Sequence, residues 1–196
     1  ITSGNHVWQK SEILPLLESN DTLLRPANYP RGVKGKGYCI VEKKGVKVGV
    51  INLEGRESMS NLDCPFQIGR EIIRKISSET KIIIIDFHAE SAMEKEALAI
   101  NFDGKVSVVA GTHTHVQTAD ERILKNGTAY ITDLGMTGPE ESVIGAEKET
   151  AIKRTLTQMP FKMDIAETEG MINGALIEID VNTGKALSIS RINEPA

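Results

Sequence analysis

The stretch Lys81-Ile82-Ile83-Ile84-Ile85-Asp86-Phe87-His88 decides the fold. Its four consecutive isoleucines are β-branched and apolar on both faces, which suits a strand buried on both sides in a largely parallel sheet. The buried strand runs from Lys81 to Phe87, and His88 closes it. Just upstream, Pro65 to Thr80 sets Phe66, Ile68, Ile72, Ile73 and Ile76 at helical spacing. Just downstream, Glu90 to Ile100 reads as a helix and Val106 to Ala110 as a second buried strand. This alternation of strand and helix predicts an α/β fold.

Further out the pattern continues. Val7 to Glu18 reads as a short helix that Pro15 ends or kinks. Arg25 to Gly37 is a structured loop rich in Pro and Gly. Tyr38 to Val41 and Val46 to Leu53 are strands joined by a hairpin at Lys43-Lys44-Gly45, whose lysines, with Lys47, are solvated. Ala129 to Thr132 is a third buried strand and Ala146 to Leu156 a helix. Ala175 to Val181 and Ala186 to Ile192 form a closing pair joined by Asn182-Thr183-Gly184. No repeat or linker interrupts the 196 residues, which read as a single domain, residues 1–196.

Bulk composition narrows the function classes. A 40% hydrophobic and 26% charged content is that of an ordinary globular chain. The net charge of −4 argues against bulk nucleic-acid binding, which needs a basic face. No apolar run approaches the roughly 20 residues that span a bilayer. The two cysteines, Cys39 and Cys64, make no disulfide framework and are compatible with a cytoplasmic location.

The chemistry gathers on the four histidines. A lone histidine is more often a satisfied core or surface residue than a ligand. Here, however, all four lie at strand ends or glycine-rich turns: His6 in Gly4-Asn5-His6, His88 at the end of the isoleucine strand, and His113 and His115 in Gly111-Thr112-His113-Thr114-His115. Loops past the carboxyl ends of strands are where α/β folds place their sites. If the His-x-His segment extends its strand, both rings face one side; if it is a loop, the short spacing still keeps them close, with Gly111 letting the chain turn as it leaves the strand. Thr112 and Thr114 can support the ligands by hydrogen bonds. Asp86 and Glu90 flank His88 and can orient its free ring nitrogen, although an end-of-strand acid and a helix-start Glu explain them equally. Arg25 and Asn28, and Thr137 between Gly135 and Gly138, are candidate substrate contacts that loop structure explains as well. Asn5 and His6 offer an amide oxygen and an imidazole pointing different ways. With no cysteines at ligand spacing, a structural zinc site is disfavoured. Imidazoles mixed with amide and carboxylate oxygens suit catalytic Mn, Fe or Zn.

The order Gly4-Asn5-His6, a histidine after a strand, then Gly-x-His-x-His resembles the calcineurin-like metallophosphoesterases. Longer blocks sharpen the likeness: Leu24-Arg-Pro-Ala-Asn-Tyr-Pro30, Ile51-Asn-Leu-Glu-Gly-Arg56, Ile85-Asp-Phe-His-Ala-Glu90, Gly111 to Asp120, and Ile131-Thr-Asp-Leu-Gly-Met-Thr-Gly-Pro139 are similar to the YmdB-type bacterial phosphodiesterases, from Ile1 to about Ile192. The resemblance implies a β-sandwich flanked by helices and a two-metal hydrolase for phosphodiesters such as 2′,3′-cyclic nucleotides. It implies that Asn5, His88 and His113 bind one metal and His115 the other. It implies that His6 faces the substrate phosphate and protonates the leaving oxygen. The cofactors expected are two transition-metal ions, Fe or Mn ahead of Zn. The partner expected is a small phosphodiester or cyclic nucleotide, with no membrane and no bulk nucleic acid, and with a homo-oligomer compatible.

Members of that family also carry a strand with a metal-binding Asp and a Glu-Asn pair, both of which would precede Ile1. The expectation is therefore a chain lacking the family's N-terminal strand or strands. The alternative function is a catalytically weakened regulatory module that binds metal and nucleotide.

Overall fold

The computed structural model describes residues 1–196. The first helix, α1 (Ile13–Ser19), is shorter than the spacing predicts, because the chain from Asn5 to Glu12 runs in turns and bends. Pro15 does not kink it. It lies in the first turn, where an N–H would have no helical partner. The strands β1 (Tyr38–Lys43) and β2 (Val46–Glu54) pair antiparallel. Lys44 (φ 52°) and Gly45 (φ 77°) make the two-residue turn, whose left-handed pair matches the strand twist.

Helix α2 (Pro65–Ile76) starts on a proline, whose missing N–H costs nothing there, and buries Ile72, Ile73 and Ile76. Strand β3 (Ile82–His88) is the isoleucine run. Helix α3 (Ala92–Phe102) starts two residues later than the spacing suggests, because the Ser91 hydroxyl caps it by accepting from Glu94 N at 3.2 Å. Strand β4 is Val108–Thr112 rather than Val106 to Ala110. The chain continues through β5 (Arg122–Ile123), β6 (Ala129–Ile131), β7 (Gly138–Pro139), α4 (Lys148–Thr157), β8 (Gly170–Ile179) and β9 (Ala186–Pro195). Two-residue strands such as β5 and β7 carry no periodicity, so nothing in the sequence signals them.

One sheet has the order β1-β2-β3-β4-β6-β5 and the other β7-β8-β9. In the first, β2, β3, β4 and β6 run parallel, with antiparallel β1 and β5 at the edges. Alternation along β3 splits its side chains between two cores. Ile83, Ile85 and Phe87 join Ile72, Ile76, Leu98 and Phe102 under α2 and α3. Ile84 packs with Val108, Ala110 and Ile131 against Ile177, Ile179 and Ile189 of the second sheet. Each fully buried Ile or Phe contributes about 1.5–3 kcal/mol over an exposed one. The result is two stacked sheets with helices over one face, the sandwich flanked by helices that the resemblance implies. No helix is long and apolar enough to cross a membrane.

Register sets the site. Glu54 of β2, His88 of β3 and Thr112 of β4 stand side by side at the carboxyl ends of three adjacent strands.

Candidate metal centre

The N-terminal segment closes over those strand ends. Thr2 bridges to Leu24, and Gly4 N donates to Asn52 Oδ1 at 3.4 Å. Gly4 has φ +74°, and a Cβ there would come within 2.6 Å of the His88 ring, so only glycine lets this backbone lie against the imidazole. Asn5 is thereby brought to His88, 83 residues away in the chain.

The hydrogen bonds define the tautomers. Thr112 Oγ1 donates to Asp86 Oδ1 at 2.7 Å, so it accepts from His88 Nδ1–H at 3.0 Å. A lone pair remains on His88 Nε2. His113 Nε2 stands 3.1 Å from Glu90 Oε2, so its proton lies there and its Nδ1 carries the lone pair. His113 Nδ1 is 3.0 Å and Asn5 Oδ1 2.9 Å from His88 Nε2. The two rings meet edge to face, with centroids 4.7 Å apart.

Three lone-pair atoms thus converge with no proton among them, an unfavourable arrangement on its own. It is the arrangement a cation needs: ligands about 2.1 Å from a metal and at right angles lie about 3 Å apart. Burial, and after it the neighbouring His113, lowers the His88 pKa to about 4. Burial likewise lowers that of His113, against the opposing pull of Glu90. Both rings are therefore neutral near pH 7, the state in which imidazole binds metal. The cluster is two imidazoles and an amide; no group of three or more His, Cys, Asp or Glu side chains stands at metal-holding spacing. Asn5, His88 and His113 fit one ion.

The other two histidines stand apart from that contact. His115 Nδ1 donates to the Ile144 carbonyl at 3.1 Å, leaving Nε2 uncommitted. Gln9 Nε2 donates to His6 Nδ1 at 2.6 Å. His6 and His115 line one cleft of about 930 Å³.

The structure decides three expectations. The His-x-His segment takes the loop alternative and does not continue β4. His113 (φ 113°) and His115 (φ 68°) both have left-handed backbones, so strand alternation does not aim their rings. Such conformations cost about 1–3 kcal/mol each and persist only where the surroundings impose them. Asp133 imposes them here. Its Oδ2 accepts from Thr114 N at 3.0 Å and from Lys95 Nζ at 2.8 Å, and its Oδ1 accepts from Gly135 N at 2.9 Å. Second, Gly111 serves close approach rather than a turn: a Cβ there would lie 1.7 Å from the Thr132 carbonyl oxygen. Third, Glu90 orients His113 rather than His88, whereas Asp86 does reach His88, through Thr112. Arg25, Asn28 and Thr137 all bond to backbone, as loop structure requires.

Sequence reasoning missed Lys95, because a lysine on a helix reads as solvated. Its spacing to Leu98, Ala99 and Phe102 on the buried face was the available signal. It also passed over Glu54. That carboxylate is fully buried, and no hydrogen bond of good geometry reaches either oxygen, although the Tyr29 phenol stands beside it. Burial raises its pKa, and the phenol of Tyr29 is pushed up to about 12 by burial and then by the charge of Glu54.

Comparison with known proteins places these features in context. The family described as YmdB-like protein matches residues 1–192. A 2′,3′-cyclic-nucleotide 2′-phosphodiesterase of Bacillus subtilis (strain 168) is 49% identical over 192 residues, 98% of this chain and 73% of that protein. The crystal structure of a hypothetical protein from Thermus thermophilus superposes with TM-score 0.92 at 36% identity, covering 99% of this chain and 75% of that one. That of a novel phosphatase from Mycoplasma pneumoniae gives TM-score 0.91 at 36% identity, covering 100% of this chain and 71% of that one.

Proposed function

Since the chain belongs to the YmdB-like protein family over residues 1–192, we propose that it is a metal-dependent phosphodiesterase acting on small phosphodiesters, 2′,3′-cyclic nucleotides among them. The convergence of Asn5 Oδ1, His88 Nε2 and His113 Nδ1 carries this reading. Those three would hold one ion and His115 would contribute to a second, with Fe or Mn the metals expected. Two such ions supply Lewis-acid polarisation of a phosphoryl group and activation of water near neutral pH.

The protein's own groups do the rest. Thr112 and Asp86 hold the His88 ring with Nε2 inward. Glu90 does the same for His113 Nδ1. Gln9 holds His6 by Nδ1 and leaves Nε2 free. With both ring nitrogens protonated and the Gln9 amide turned so that its oxygen accepts from Nδ1–H, His6 would deliver the Nε2 proton to the departing ester oxygen and be left as neutral imidazole. Opening a 2′,3′-cyclic phosphate in this way leaves a nucleoside monophosphate. We read residues 1–196 as one domain acting in the cytoplasm, a compartment that suits the two free thiols Cys39 and Cys64.

The test is hydrolysis of 2′,3′-cyclic AMP and bis(4-nitrophenyl) phosphate by protein loaded with Mn or Fe, with metal content measured alongside. His113→Ala should lower both metal content and turnover. His6→Ala should keep the metal and slow turnover by about 10²–10⁴-fold. Failure of the loaded protein to cleave either ester would overturn the reading, and loss of metal from His6→Ala would overturn the role of His6.

A further inference from the structure

The cleft that His6 and His115 share extends well beyond them. At about 930 Å³ it lies near the top of the ~300–1,000 Å³ range of small-molecule sites, far more than a phosphate group fills. Its wall is mixed, with Ile144, Met159 and Met163 forming the apolar part and Gln9, Thr155 and Gln158 among the polar residues, and its lining includes no carboxylate. Arg154, on the last turn of α4, is the one permanently charged side chain that lines it.

Arg154 differs from the basic residues around it. Lys148 pairs with Glu141, Lys162 with Asp164, and Lys153 lies 4.7 Å over the Phe161 ring. The Arg154 guanidinium has neither a hydrogen bond nor an ion pair, although its fork of donors matches a phosphate. An exposed arginine is ordinarily just solvated. This one borders a cleft of mixed lining that two of the site histidines also line, with no acid to neutralise it.

Building on the phosphodiesterase reading, we propose that this cleft is the nucleoside subsite and that Arg154 holds a second phosphate of the substrate. The Ile144, Met159 and Met163 side of the cleft takes the base. The preferred substrate then carries a phosphate besides the scissile diester, as does a short oligonucleotide ending in a 2′,3′-cyclic phosphate. A single arginine on a chain of net charge −4 suits one extra phosphate and not a long nucleic-acid backbone.

Calorimetric titration with adenosine 3′-monophosphate and adenosine 3′,5′-bisphosphate tests this without turnover. The bisphosphate should bind the wild-type protein about tenfold tighter, equivalent to about 1.4 kcal/mol. Arg154→Gln should bring the ratio near one. Lys153→Gln, whose side chain does not line the cleft, should keep it near ten. Equal affinities in the wild-type protein, or an unchanged ratio in Arg154→Gln, would overturn the subsite. Hydrolysis of bis(4-nitrophenyl) phosphate separates the two readings. Turnover without a bisphosphate preference sinks the subsite alone, and a preference without turnover upholds the subsite while sinking the phosphodiesterase.

Discussion

Replacing Lys95 by methionine probes the loop that carries His113 and His115. The Lys95 and Asp133 side chains are 0% and 1% exposed and meet at 2.8 Å. Methionine fills most of the lysine's volume but removes its charge. The Asp133 carboxylate then stays buried with only the Thr114 and Gly135 amides as donors. Leaving one partner of a buried pair uncompensated costs about 3–5 kcal/mol, a large part of the ~5–15 kcal/mol that holds a domain folded. At about 2–4 °C per kcal/mol for a chain of this size, the melting temperature should fall by roughly 6–20 °C. Asp133→Asn should cost a similar amount, because it strands the lysine. The double variant removes both charges and should be no worse than either single change, a coupling of roughly 3 kcal/mol. Urea denaturation of the four proteins in chelator, which excludes any stabilisation by metal, gives the cycle. A Lys95→Met cost below about 1 kcal/mol, or additive single changes, would refute the claim that this pair clamps the loop.

Three further outcomes are expected. Gly111→Ala would push a Cβ to 1.7 Å from the Thr132 carbonyl oxygen. It should cost at least about 3 kcal/mol, and a melting curve like that of the wild type would contradict the close approach. Glu54→Gln should be the more stable protein at pH 7, by about 1–3 kcal/mol. Burial raises the folded-state pKa of Glu54, so the wild type is most stable below the unfolded carboxyl value of ~4.3 and loses stability as pH rises through the folded value. The variant avoids that loss, and the gap between the two thermal melts should shrink toward pH 4; a gap independent of pH would show that charge is not the cause. Thr112→Val removes the hydroxyl between Asp86 and His88. Metal affinity, read by competition with a chromogenic chelator, should drop about 10–100-fold, and an unchanged affinity would exclude the orienting chain.

The β3 core was legible because its information is local: four isoleucines require burial on both faces wherever they sit. The Lys44-Gly45 hairpin was legible for the same reason, since its turn conformation is written into two residues. The position of every histidine at a strand end or turn could also be read from adjacent residues. The path of the His113–His115 loop could not. Local spacing leaves an extended and a looped His-x-His both open, and what decides between them is Asp133, held by a lysine 38 residues away. The cause of the bend lies outside any window a periodicity can scan. The same applies to Glu54, whose isolation depends on the loop that folds over it. Helix starts were missed where a cap or turns set the boundary: slightly at α3, where Ser91 caps, and by nearly two turns at α1, where the chain up to Glu12 runs in turns and bends.

The three converging atoms come from residues 5, 88 and 113, brought together by contacts spanning 83 and 25 positions of sequence. No short segment of the chain contains the site, so a partly folded chain has at most a fragment of it. Any ligand that needs all three donors discriminates completely between the folded and unfolded ensembles. By mass action its binding adds stability as RT ln(1 + [L]/Kd), about 2.7 kcal/mol at a hundredfold excess over Kd. For such a ligand, occupancy and foldedness are one equilibrium, and withholding it should shorten the protein's lifetime.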